Sequence, residues 1–370
     1  MDKIIANVAT PDGALLQKDE KEYDESASQA AASLKKLSLN DAGTVLATIE
    51  SLDPSTQTIP LVFLLSNLVE HAISSNKSRK LPQGVLPGGS LWPEITRTLL
   101  TFDPIQARYV SPYLLKLVET VCTGAEQTSD FIPAIQLLQA VILRLDPTSS
   151  TLTTTHFYFL RLCVLARAYD LATSITDLPI YHIPTEYSIK PLDSRLSRYH
   201  CSSSTSSISY LNTRTGLSGK ITSRIYLEYY LLVALTNIGL RRWQRASQAL
   251  EVVLVHPTHQ NTASMIMLEA YRKHLLINLI IYGEGREPPR AMSGNALKQI
   301  RAIARPYECV LEAFKTGEMA KLQAEINEGL QLWTDEGNYG LMAEVLGAFR
   351  RHSVVKLRET FAAVTIEEVT

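Results

Sequence analysis

The sequence predicts an all-α fold built of repeated helix pairs, and three observations carry that reading. Segment after segment places apolar residues three and four apart, the period of one helix face. Aromatic residues open several of these segments at a near-constant interval. No convincing alternation of apolar and polar residues appears before the final residues.

Taken in order, residues 1–27 are mixed and polar with a charge cluster at 18–25, and are expected to form a mobile tail. Residues 28–175 are expected as N-terminal helical repeats. Helices are predicted over 28–37, 42–52 and 59–74, broken by turn chemistry at Asp53-Pro54, Leu81-Pro82-Gln83-Gly84 and Pro87-Gly88-Gly89. Four more follow, over 91–102, 104–122, 130–145 and 153–175. Pro112 should kink or split the second of these. Asp130 is the expected N-cap of the third, and Pro147 its stop.

Residues 176–220 break the rhythm with Pro179, Pro184, Pro191 and a serine-rich stretch from Cys201 to Ile208. They are expected to form a long exposed loop or hinge, with a phosphorylated regulatory segment left open. Helices resume over 221–238, 241–255 and 263–282. The last keeps Leu268, Tyr271, Leu275, Leu279 and Tyr282 on one stripe, with Gly283 at a C′ position. Glu269, Arg272 and Lys273 cover its other side, expected as a solvated face. Shorter helices are predicted near 296–304, 307–315, 320–332, 339–349 and 354–360.

The repeat signal is specific. Trp92, Phe131 and Tyr169 stand 39 and 38 residues apart, and Trp243 opens a similar segment. Behind them come Ile95 and Leu99, Ala134 and Leu138, Ala172, and Ala246 and Leu250, each segment ending before a proline. This is near the period of tetratricopeptide and HEAT helix pairs. One pair cannot bury its own apolar face, so pairs stack into a right-handed solenoid with an extended binding surface. The competing reading is a compact bundle with accidental spacing.

Composition bounds the function. Apolar residues make up 45% and charged residues 20% of 370, which is ordinary for folded domains, at about two or three domains of this length. A formal net charge of −1 gives no global field for nucleic acid or an anionic membrane. The longest unbroken apolar run, 229–235, is far short of a membrane span, and the N-terminus is no secretory signal. Cys122, Cys163, Cys201 and Cys309 form no CxxC pair and read as free thiols, Cys163 as core rather than nucleophile. No His-x-His metal pair occurs, and His256 and His259 read as solvated turn residues. There is no GxxxxGK[ST], no GxSxG, and Gly283-Glu-Gly285 is no dinucleotide loop. Arg241, Arg242 and Arg245, and Arg350-Arg351, read as partner salt bridges or solvated charges. No catalytic, metal-binding or cofactor-binding residue is therefore expected, and an enzyme is not.

From about Ile221 the chain resembles a known family. YLEYYLLVALTNIGLRRWQRASQALEVVLVHP (226–257), MLEAYRKHLLINLIIYGE (267–284), RPYECVLEAFKTGEMAKLQAEIN (305–327) and GLMAEVLGAFRRHSVVKLRETFAAVTIEEV (340–369) are similar to the third-subunit family of the COP-9 signalosome, a group of PCI-domain proteins. The resemblance covers roughly the last 150 residues. The divergent first half fits a fungal member. The resemblance implies a non-catalytic scaffold in cytoplasm and nucleus, supporting removal of a ubiquitin-like modifier from cullins and so regulating ubiquitin ligases. It places catalysis on a different, zinc-bearing subunit and makes other signalosome subunits the partners, with no nucleic acid and no membrane. It also implies that 221–370 is a PCI-type helical region, C-terminally truncated where FAAVTIEEVT begins a winged helix that is largely missing. Phe361, Val364 and Ile366 are then the expected partner interface. The alternative is a PCI subunit of the proteasome lid or of a translation initiation complex.

Overall fold

A computed structural model describes residues 13–35, 42–76, 80–184, 199–202, 206–257 and 262–360. The fold is an all-α helical repeat. No strand occurs among the described residues, only an isolated bridge between Thr151 and His182. The chain divides into two compact units, Met1–Ile225 and Tyr226–Thr370.

The first unit opens with α1 (Gly13–Lys18) and α2 (Glu20–Leu34). Much of the expected mobile tail is therefore helix. The charge cluster is the reason: Asp19 caps α2 by accepting from the Lys21 and Glu22 amides, and Glu20 and Glu22 sit in the first turn, where the helix dipole favours acids. Tyr23 and Ala27, placed in the tail by their polar neighbours, are buried.

Next come α3 (Ala42–Ser51) and α4 (Thr58–Ser75). Helix α4 is long and apolar enough to cross a membrane, yet it is the core helix of this unit. Its residues from Thr58 to Ser66 are buried, packed against α2, α3, α5 (Trp92–Thr101), α6 (Pro104–Ala107) and α7 (Ser111–Thr128). Pro112 falls in the first turn of α7, so the expected helix over 104–122 is split there. Gln106 ties the split to α4's start, donating to the Thr56 carbonyl at 2.8 Å and accepting from the Ile59 amide at 3.3 Å.

Helix α8 (Ile132–Leu145) starts with Pro133 in its first turn and Phe131 at the N-cap. Asp130 does not cap it, because the chain reaches the cap position one residue later. The expected helix over 153–175 is two, α9 (Thr154–Leu165) and α10 (Tyr169–Thr176). Within 176–220, Tyr181 is 81% exposed, but the described residues from 199 onward are packed rather than an exposed loop. Short α11 (Ser207–Tyr210) packs down, and Cys201, Tyr210, Leu211 and Leu217 are buried. The serine run hid the apolar residues flanking it. Ser203 to Thr205 lie outside the described residues.

The second unit takes in most of α12 (Ser223–Gly239), then α13 (Trp243–Leu254) and α14 (Met265–Tyr282). After it come α15 (Gly294–Ile303), α16 (Arg305–Lys315), α17 (Met319–Glu328), α18 (Leu330–Asp335) and α19 (Tyr339–Thr360). The expected helix over 320–332 breaks at Gly329, where the Trp333 indole covers the backbone and donates to the Ile326 carbonyl at 3.0 Å. The two short helices expected over 339–349 and 354–360 are one. Nothing in Arg350–Ser353 breaks a helix, and α19 simply runs past its apolar support.

One turn recurs across both units. A residue in left-handed backbone stands two before the first residue of the next helix at Arg167 before Tyr169, Arg241 before Trp243, Gly317 before Met319 and Gly337 before Tyr339, and two before the N-cap at Ser129 before Phe131. At three of these the amide two residues before the helix reaches back three residues and the following amide reaches back five. The bonds are Arg167 to Val164 and Ala168 to Cys163, Arg241 to Ile238 and Arg242 to Asn237, and Gly337 to Thr334 and Asn338 to Trp333. This is the Schellman closure, which satisfies the last carbonyls while reversing the chain. Three of the four aromatic anchors read from the sequence, Phe131, Tyr169 and Trp243, thus follow such a residue.

Left-handed backbone costs an L-residue about 1–2 kcal/mol and glycine almost nothing. At Gly337, φ is 68° and an added methyl would meet no atom within 4 Å, so the strain is conformational alone. Gly337→Ala should lower stability by about 1–2 kcal/mol, and Arg167→Gly (φ 56°) should raise it by about 0.5–1 kcal/mol. Urea denaturation midpoints of the two variants check both signs.

Candidate functional site

Among the described residues no three His, Cys, Asp or Glu side chains converge to hold a metal ion. His256 is half-buried, and His259 lies outside the described residues. Cys163 is fully buried, and burial pushes its thiol up to about 12, the wrong direction for a nucleophile.

One arrangement has the outline of a nucleophile pair. Ser149 Oγ and His156 Nε2 are 2.8 Å apart, and His156 Nδ1 lies 2.8 Å from Thr153 Oγ1. Both Ser149 and His156 are buried. The nearby Asp146 spends its carboxylate on Thr148, Ser150 and Thr151 rather than orienting the imidazole. The group is a capping box: Thr153 and His156 exchange bonds at the start of α9. Burial lowers the His156 pKa to about 4, against a partial upward pull from Asp146.

The second unit carries a different feature, which the sequence reading missed. On α14, Lys273 is only 5% exposed and Arg272 is largely buried. The expected solvated face is an internal polar network. The Lys273 ammonium donates to Glu269 and, at 2.7 Å, to Asn338 Oδ1. Asn338, 0% exposed, passes its own amide hydrogen to the Tyr307 hydroxyl at 2.7 Å, and Tyr307 donates to Glu336 at 2.5 Å. Arg272 closes the ring on Glu336 at 2.8 Å and lies over the Tyr307 ring. The network binds α14, α16 and the α18–α19 turn together. Its sequence signal was available in Asn338, placed between Gly337 and the aromatic Tyr339. The i, i+3 and i, i+4 charge spacing at 269–273 fits a surface pair equally well.

That network seats the first half of α19. Leu341, Met342, Val345, Ala348 and Phe349 are buried in the unit's core. Beyond Arg350 the support ends. The last anchor is His352, whose Nε2 donates to the Ile280 carbonyl at 3.2 Å. Its ring covers Gly283, the left-handed C-cap of α14, where an added methyl would stand 2.7 Å from the imidazole. Past it, Val354 is 52% and Val355 59% exposed. The outer half of α19 thus carries two exposed apolar side chains outside the unit's core. Phe361, Val364 and Ile366, the interface expected from the sequence, lie outside the described residues.

Comparison with known proteins gives the family. The model describing "COP9 signalosome complex subunit 3, N-terminal helical repeats" matches residues 20–295. The match reaches well into the first unit, which the sequence reading had credited only with helical-repeat style. A relative from Emericella nidulans named COP9 signalosome complex subunit 3 is 28% identical over 321 residues, covering 87% of this chain and 63% of the relative. Relatives of the same name from Neurospora crassa and Dictyostelium discoideum are 29% and 22% identical, covering 64% and 62% of this chain and 46% and 47% of their own lengths. The chain thus spans from just under half to under two thirds of the length of these relatives.

The pH dependence of stability tests the structural role of His156. Its pKa falls from an ordinary 6.5 in the unfolded chain to about 4 in the fold, so the unfolded state binds the proton first. The contribution is whole above about pH 6.5 and is lost as pH falls toward about 4, by roughly 3 kcal/mol in all. His156→Gln cannot titrate there. Denaturant titrations at several pH values should show wild type losing stability relative to the variant across that window and not above it.

Proposed function

The chain belongs to the family of COP9 signalosome complex subunit 3 N-terminal helical repeats, and on that premise we propose that it is a non-catalytic scaffold subunit of the COP9 signalosome. In this role it supports cullin deneddylation, and so the regulation of ubiquitin ligases, by protein–protein contact in cytoplasm and nucleus. The carrying observation is the match through residues 20–295, which spans the greater part of the chain and reaches into the second compact unit. Three relatives of the same name support it.

The physical reading agrees. Stacked helix pairs spend their apolar faces on one another and leave long outer surfaces. The near-neutral charge favours protein partners over nucleic acid or an anionic membrane. Chemistry is assigned to another subunit: the Ser149–His156 pair is a buried cap, and the burial of Cys163 suits packing. The partner contact is assigned to the outer half of α19, at Val354 and Val355, with Phe361, Val364 and Ile366 continuing it. The competing reading, a PCI subunit of the proteasome lid or of a translation initiation complex, would use the same architecture.

Co-purification of the tagged natural chain with mass spectrometry tests the proposal. Signalosome subunits should be recovered. Val354→Asp with Val355→Asp should reduce their recovery several-fold while the isolated chain's stability shifts by no more than about 0.5 kcal/mol, as expected of exposed sites. Recovery of proteasome or initiation-factor subunits instead would overturn the assignment.

A further inference from the structure

Arg108, in the turn between α6 and α7, is a buried cation without an acid. It is 7% exposed. One terminal nitrogen donates to the His200 and Ser202 carbonyls at 2.9 and 3.1 Å, and the guanidinium lies 3.9 Å from the Tyr210 ring centroid. Its Nε–H is buried and meets no acceptor. No carboxylate stands within ion-pair distance of it among the described residues. Asp103 acts on it only through space and is committed to the Ile105 amide as an N-cap. A guanidinium withdrawn from water without a counterion is an expensive arrangement, which an arriving anion would relieve.

Arg108 lines a cavity of about 560 Å³ in the first unit, within the range of small-ligand sites. Lys35, His200 and Arg214 line it too, and no Asp or Glu does. Lys35 and Arg214 form no ion pair among the described residues. Asp24 bonds to two residues of this wall, its Oδ1 accepting from the Tyr109 hydroxyl at 2.6 Å and the His200 amide at 3.0 Å. Three cations therefore line one cavity, the buried Arg108 in its wall and the exposed Lys35 and Arg214 at its rim.

We propose that this cavity binds a phosphate monoester. A dianion with three terminal oxygens matches several cations at once. The two arginine forks suit paired phosphate oxygens, and Lys35 supplies a mobile point charge at the rim. A singly charged carboxylate would leave most of the positive charge unanswered. The phosphate arrives either on a phosphorylated side chain or on a free metabolite, since the recognising chemistry is the same.

Calorimetric titration of the full chain separates these sources. The probes are a blocked alanine–phosphoserine–alanine peptide and glycerol 3-phosphate, with sulfate at matched ionic strength as reference. At least one monoester should bind about tenfold or more tighter than sulfate. Arg214→Gln should weaken it by about tenfold and Lys35→Gln by about two- to threefold. These two side chains reach solvent, so their variants fold even if Arg108→Gln does not. Tighter binding of the peptide assigns a phosphorylated side chain, and tighter binding of glycerol 3-phosphate a free metabolite. The proposal falls if neither probe surpasses sulfate, or if Arg214→Gln binds as wild type does.

Discussion

Everything in this molecule depends on reversing a helix in three residues without leaving its last carbonyls bare. The left-handed residue at Arg167, Arg241 and Gly337 does this through paired amide bonds to the preceding turn. At Arg167 and Gly337 the turn brings the next helix against the one before it, and a large residue, Tyr169, Trp243 or Tyr339, opens the helix after each of the three turns. Small residues one turn on, Ala172 and Ala246, are buried and let the neighbouring backbone approach. Repetition of a single turn is thus what converts amphipathic helices into a stacked array.

Where local chemistry decides the structure, the sequence was legible. Pro112 splits its helix because its ring cannot sit inside one, and Gly283 closes α14 because φ is +69°. The anchors at Trp92, Phe131, Tyr169 and Trp243 fell at helix starts as their spacing required. The turn at Arg167 was not legible, since an arginine in left-handed backbone carries no signature, and so α9 and α10 read as one helix. The acidic start of α2 reads as a tail because charge at a helix N-terminus and charge in a disordered segment look alike without the packed face of Tyr23 and Ala27.

The site was less legible than the fold, for the same reason at larger scale. Glu269, Arg272 and Lys273 have the spacing of a solvated stripe. Only the arrival of Asn338 and Tyr307 from elsewhere in the chain makes them an interior network. That network joins α14, α16 and the α18–α19 turn through Lys273, Asn338, Tyr307, Glu336 and Arg272, while the Arg272 Nε–H is left without an acceptor. Arg108 is the converse case: a buried cation whose partners in the fold, carbonyls and a tyrosine ring, leave its charge unanswered.

The central claim is that the helix pairs spend their inner faces on one another and leave the outer half of α19 for a different polypeptide. Hydrogen exchange of the amides in residues 350–357 reads this directly, comparing the chain alone with the chain inside its purified assembly. The account predicts fast exchange alone and at least tenfold protection in the assembly, with the amides of the buried α14 protected in both. Equal exchange of 350–357 in the two states would contradict it.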